Sequence, residues 1–287
     1  ADERLEAVRA LTGSTSVITR ARPIVFMEGE SRASKTDSDQ SLLGLLVPES
    51  ASWVVVPARG RSEAIRHARQ LQETLAPEIP GLPIFALVDS DRLEPSDETI
   101  IGWPVAMIEN LLLDPAAIWG LLRPHAGRHG LTSEDQVLDT LDRLARARRE
   151  DEIRLRVSET LGRLILEPTL SNFDAGITVD TERIVEACRA FTDGVSEKAD
   201  RAVEEASRVV DEILNDRKHL ERFRGKQLLN DFYRDAQLGG IMSKPAFTVE
   251  LARHAAMGER LATLVSAPVA RIQRYVPTRV VEILKEL

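Results

Sequence analysis

Four short runs in the first third of the chain are apolar at consecutive positions instead of alternating with polar residues. They are Ile24-Val25-Phe26-Met27, Trp53-Val54-Val55-Val56, Ile84-Phe85-Ala86-Leu87-Val88 and Val105-Ala106-Met107-Ile108. A strand that reads this way is buried on both faces, as in a parallel sheet covered by helices. Between the first two runs, Leu42, Leu43, Leu45 and Leu46 fall at helical spacing within 38–46. Between the second and third, Ile65, Ala68, Leu71 and Leu75 form one face of a helix over 61–75. The first three runs recur roughly every thirty residues, the length of a βαβ unit. The stretch from Arg92 to Trp103 is barely long enough for a crossover, which leaves the direction of the fourth strand open.

After Asn110 the strand signal fades. Helical patterns cover 111–122, 133–166 and 180–216, and a broken helical stretch follows to Leu287. In the third of these, Ile184, Cys188, Phe191, Val195, Ala202, Ala206, Val209 and Ile213 lie three or four apart, the mark of a long helix with one buried stripe. Residues 173–179 read as a short extended piece between helices. The expected fold is α/β: a mostly parallel sheet flanked by helices over 23–122, a lead-in over 1–22, and a mainly helical domain over 123–287.

Composition narrows the classes. With 287 residues, 43% hydrophobic and 29% charged, the chain is of ordinary globular type and can bury a core without staples. The single cysteine, Cys188, excludes an internal disulfide and a cysteine-rich zinc site, and makes the reducing cytoplasm the default compartment. No run approaches the roughly 18 apolar residues of a membrane span. The charged, amphipathic opening ADERLEAVRALTG is not a signal peptide, and a start at Ala1 reads as a fragment. A net charge of −8 argues against a surface that grips nucleic acid everywhere. It leaves room for carboxylates neutralised by a metal beside a local basic strip.

The chemistry concentrates where the apolar runs end. The first ends in Glu28-Gly29-Glu30, the second in Pro57-Ala58-Arg59-Gly60-Arg61, the third in Asp89-Ser90-Asp91 and the fourth in Glu109-Asn110. Open α/β sheets bind ligands beyond the carboxyl ends of their strands. Several acids delivered to that edge repel one another unless a cation sits among them. Asp89 and Asp91, two apart, can face a common point, and oxygen-only ligands favour Mg²⁺ or Mn²⁺ over zinc. By itself Asp89-Ser90-Asp91 is equally a polar turn; the acid Glu28 at the end of another strand shifts the balance toward a metal site. Glu109 either joins that site or caps the helix that follows, and Asp37 and Asp39 stand where an N-cap is the simplest role. Gly60 with Arg61 and Ser62 opens a helix, whose amides can meet a phosphate or merely make a turn. The basic stretch Arg217, Lys218, Arg222, Arg224, Lys226 near Phe223, Phe232 and Tyr233 is either a solvated face or a backbone-binding strip. The five histidines lack ligand spacing and read as structural, and no phosphate-binding GxxxxGK[ST] motif is present.

The order FMEGE, ALVDSDR and MIENLLLDP over roughly 23–120 resembles a TOPRIM domain. More narrowly, it resembles the TOPRIM modules attached to or partnered with ABC-type ATPases, as in OLD-family nucleases and related phage-defence effectors. That resemblance implies Glu28, Asp89 and Asp91 as metal ligands, with Asp39 matching the acid that opens the first helix. It implies Glu109 as the acid before the following helix, and Lys226, in RGKQLL, as a group that stabilises charge on the scissile phosphate. The polar insertion 31–38 departs from the family pattern and leaves Asp37 and Asp39 as alternatives for one position. The opening 1–22 resembles the exit from an upstream ATPase domain.

The leading expectation is therefore an endonuclease of DNA or RNA using one or two Mg²⁺ or Mn²⁺ ions. Glu28, Asp89, Asp91, Glu109 and Lys226 would be its catalytic groups, Glu28, Asp39, Asp89 and Asp91 its metal ligands, and Arg61, Arg222 and Arg224 its contacts to nucleic acid. Its partner would be an ABC-type ATPase, upstream in the chain or separate, and the long helices offer a homodimer surface; no membrane is involved. The competing expectations are a phosphatase with Asp89 as nucleophile and a non-catalytic module that docks an ATPase.

Overall fold

The computed structural model describes residues 22–29, 38–75, 82–90, 98–171 and 181–273, with 162–171 and 181–196 as backbone. Four parallel strands make one sheet: β1 (Ile24–Glu28), β2 (Val54–Ala58), β3 (Ile84–Val88) and β4 (Ile100–Gly102), in the order β2-β1-β3-β4. Phe26 pairs with Val56 on one side and Ala86 on the other, so β1 and β3 lie side by side at the centre. Both are apolar throughout because both faces are covered, and every residue from Ile24 to Met27 and from Ile84 to Val88 is buried. β2 is an edge strand and only half-buried, which is where Pro57, with no N–H for a ladder, can sit.

Helix α1 (Asp39–Leu46) connects β1 to β2, and α2 (Arg61–Leu75) connects β2 to β3. Ala64, Ala68, Leu71 and Leu75 of α2 form one core with Ile24, Phe26, Ile84, Ala86 and Val88. The next residues along the strands, Val25, Met27, Phe85 and Leu87, point to the opposite face and are equally buried. The cap of α1 is Ser38, whose Oγ accepts from the Ser41 amide at 3.3 Å; Asp39 stands in the first turn instead of at the cap. There its charge faces the positive end of the helix dipole.

The fourth strand differs from the sequence expectation. It is Ile100–Gly102, parallel to β3, and the apolar run 105–108 is not a strand. Pro104 interrupts the ladder just after Trp103 donates to the Val88 carbonyl at 3.1 Å. Val105, Ala106 and Ile108 are buried all the same, and the Ala106 amide donates to the Glu221 carbonyl at 2.7 Å. A 3₁₀ turn follows at Ile108–Leu112, and α3 (Pro115–Leu122) begins only after Asp114, whose side chain accepts from the Ala116 amide.

Among the described residues no strand follows. The helices are α4 (Glu134–Ala147), α5 (Arg149–Ser171), α6 (Thr181–Asn215), α7 (Gly225–Asp235), α8 (Lys244–Ala255) and α9 (Glu259–Gln273), with single turns between some of them. The predicted extended piece 173–179 lies outside the described residues. Two compact units emerge, one from the described residues of Ala1–Thr140 and Leu220–Leu287, the other from Leu141–His219. In the first, α8 packs on α1, α3 and the 108–112 turn, and α7 packs on that same turn. In the second, α5 and α6 pack together, joined by a bidentate pair from the Arg149 guanidinium to Asp211 at 2.7 and 2.8 Å. His219 is fully buried there, 3.7 Å from Asp142, a structural setting for that ring. No described helix is long and apolar enough to cross a membrane.

Phe26 is fully buried in β1 with its ring 5.7 Å from that of His67. Phe26→Ala is expected to lower the stability of the sheet unit by about 3–5 kcal/mol in urea denaturation, the cost of emptying a large core site.

Candidate functional site

The strand order places one feature without reference to any residue type. β2 lies on one side of β1, and β3 and β4 on the other, so the connections reverse direction between β1 and β3. The crevice outside the carboxyl ends of the strands at such a reversal is the ligand-binding position of open α/β sheets. Glu28 is the last residue of β1 and Asp89 follows the last residue of β3. The Asp89 amide points at Glu28 Oε2 at 3.4 Å, a long contact that still fixes the two segments side by side. Both residues are half-buried.

Two neighbours close in on this point. The Asp39 carboxylate lies directly against Gly29, where a Cβ would meet Asp39 Oδ2 at 2.5 Å. Gly29 also has φ +153°, so glycine is needed twice over: for the backbone turn and for the approach of the acid. The Arg61 guanidinium, at the start of α2, donates to the Asp89 carbonyl at 3.1 Å and holds the end of β3. That contact gives Arg61 a local role that the sequence did not suggest.

Glu109 is the buried member. It lies in the 108–112 turn, neither strand end nor helix cap, with its carboxylate 3.9 Å from Lys226 Nζ. Burial pushes its pKa above the ordinary carboxylate value, and the nearby Asp39 carboxylate pushes the same way. Its own backbone, Lys226 and Lys244 act in the opposite direction without cancelling the rise. Asp39 thus stands between the two halves of the arrangement, against Gly29 after β1 and in the field of Glu109.

The cations come from far along the chain. Lys226 opens α7 and is largely exposed, while Lys244 opens α8, behind the N-cap Ser243. Arg224 precedes α7 and is half-buried, and Arg222 is exposed. Lys244 and Asn110 are the two site residues that the sequence reading missed. Asn110 is fully buried and accepts from the amides of Met107 and Gly225 through Oδ1. Its signal was the MIEN motif itself, which drew attention to the acid and not to its neighbour. Lys244 carried no signal, because nothing in the sequence ties position 244 to position 109.

Of the three acids expected to meet, Glu28 and Asp89 are tied through the Asp89 backbone amide and not through its carboxylate, and Asp91 lies outside the described residues, as does Asp37. Among the described residues, no three acids, histidines or cysteines form a group that could hold a metal ion by themselves. The donor set is nonetheless all carboxylate, the kind that suits a hard divalent cation. The absence of a side chain at Gly29 admits one of these acids, Asp39, beside the end of β1. No family model, curated protein or solved structure matches this chain. The fold and the site stand on their own geometry.

The raised pKa of Glu109 has a definite consequence for stability. A carboxyl whose folded pKa exceeds its unfolded value favours the fold below the ordinary value near 4.5, and that contribution is lost as pH rises through the folded value. Glu109→Gln is therefore expected to raise the melting temperature of the metal-free protein by a few degrees at pH 8, with the gain shrinking toward pH 4.5. Thermal melts across that range check it; a loss of stability at pH 8 that shrinks toward pH 4.5 would show Glu109 to be favourably ionised.

Proposed function

We propose that this chain is a TOPRIM-like, metal-dependent endonuclease module that hydrolyses phosphodiester bonds in DNA or RNA. The observation that carries the reading is the contact of the Asp89 amide with the Glu28 carboxylate at the β1/β3 reversal, with Asp39 pressed against Gly29, the residue after Glu28. The order of the motifs, FMEGE and VDSD at strand ends and then MIEN at the 108–112 turn, supports the same assignment.

Glu28, Asp39 and Asp89 would hold Mg²⁺ or Mn²⁺, with Asp91, two residues beyond Asp89, completing the set. A bound ion of this kind supplies an activated water and charge neutralisation at the phosphate. Glu109, with its pKa raised by burial, is a stronger base than an ordinary carboxylate and is suited to take a proton. Lys226 offsets negative charge that develops on the phosphate, and Arg222 and Arg224 contact the nucleic-acid backbone. Arg61 acts from behind, keeping the end of β3 in place through the Asp89 carbonyl. Coupling to an ABC-type ATPase, in the same chain or a partner, and a role in phage defence in the cytoplasm extend the same resemblance.

A second reading has its own support. It is a non-catalytic module that docks an ATPase, in which the chain's return to the 108–112 turn through α7 and α8 would serve packing alone. An Asp89-nucleophile phosphatase has no specific observation in its favour, since it leaves Glu28 and Asp39 without a role.

Incubation with plasmid DNA or single-stranded RNA and Mn²⁺ tests the leading reading. Nicking or cleavage is expected, lost on chelation and reduced at least about a hundredfold by Asp89→Ala with the fold intact by circular dichroism. Equal cleavage by the wild type and a folded Asp89→Ala protein would refute the assignment.

A further inference from the structure

We propose that Asn110 is a positioning residue whose carboxamide locks the start of α7 onto the 108–112 turn and so sets Lys226 against Glu109. The catalytic consequence rests on the nuclease reading above; the clamp itself rests on geometry alone.

The side chain uses its whole hydrogen-bonding capacity on two segments more than a hundred positions apart. Nδ2 donates to the carbonyls of Leu220 and Phe223 at 2.9 and 2.8 Å. Oδ1 accepts from the amide of Met107 at 3.0 Å, within its own turn, and from that of Gly225 at 3.2 Å. An amide in the first turn of a helix has no partner within the helix, so the Gly225 bond supplies what α7 cannot. Fully buried, each of these groups would lose a partner if the amide were removed.

The approach is too close for any other residue at 225. A Cβ there would lie 2.6 Å from both the backbone nitrogen and Oδ1 of Asn110. Backbone nitrogen cannot yield as a flexible side chain would. The Ala106 amide, bonded to the Glu221 carbonyl, adds a second tie between the same segments. The two clamped residues, Asn110 and Gly225, are the immediate chain neighbours of the charged pair Glu109 and Lys226. Lys226 is largely exposed, and charge alone holds such a long side chain only weakly to one position. The clamp fixes the backbone on both sides, and the side chains follow.

A merely structural Asn110 would affect stability and leave the Glu109–Lys226 approach unchanged in any variant that folds. Zero-length carbodiimide cross-linking separates the two. The wild type is expected to give a Glu109–Lys226 amide cross-link by mass spectrometry, and folded Gly225→Ala to give it at about a tenth of that yield or less. An undiminished yield in folded Gly225→Ala, or no such cross-link in the wild type, overturns the proposal. Should Gly225→Ala not fold, amide hydrogen exchange on the wild type decides. Gly225 and Met107, which share Oδ1, are expected to be protected together, and exchange of Gly225 at the rate of a free first-turn amide overturns it. In a parallel cleavage assay with Mn²⁺ and plasmid, folded Gly225→Ala is expected to lose about tenfold in kcat with KM within twofold. A wild type that does not cut counts against the nuclease reading alone, and the cross-link still judges the clamp.

Discussion

Negative charge at one edge of a sheet is the constraint around which the first unit is organised. The strand order makes β1 and β3 neighbours, and their parallel pairing brings residues 28 and 89 to the same end. Acids delivered to one edge repel one another, the more strongly the less water screens them. The local structure answers that repulsion at several points. The Asp89 amide turns toward Glu28, Arg61 donates to the Asp89 carbonyl, and Lys226 and Lys244 stand in the field of Glu109. Glu109 answers differently: burial and Asp39 raise its pKa. On the proposed reading, a divalent ion would neutralise what these contacts leave.

The second feature is where the compensating charge comes from. The sheet and its acids are complete by residue 112, yet the lysines belong to helices that start at 225 and 244. Between them the chain forms the separate unit Leu141–His219, then returns to the first at Leu220. The return is anchored by backbone and by one amide side chain, with Glu221 accepting from Ala106 and Leu220 and Phe223 accepting from Asn110. A site assembled from both ends of a unit is fixed only when that unit closes.

Much of this was legible in the amino-acid order, for physical reasons that also mark its limits. Consecutive apolar residues gave β1, β2 and β3 because strands covered on both faces cannot alternate. Helical spacing gave α2 because it buries a single stripe; in α6 the buried line runs through Ala202 and Ala206 as expected and then through Val210 and Leu214 instead of Val209 and Ile213. The same rule misread 105–108, which is buried and apolar but follows Pro104 and pairs with a helical segment instead of a strand. Burial is visible in sequence, while the partner that causes it is not. Glu28, Asp39 and Asp89 were legible as acids at strand and helix ends. Asn110 and Lys244 were not, since their importance lies in contacts with positions more than a hundred residues away.

Calorimetric titration of Mn²⁺ into the metal-free protein at pH 7 bears most directly on the claim that these carboxylates share a cation. Saturable binding of one or two ions is expected, weakened at least tenfold by Glu28→Gln and by Asp39→Asn separately. Heat no larger than dilution, or uptake unchanged in both variants, would contradict it.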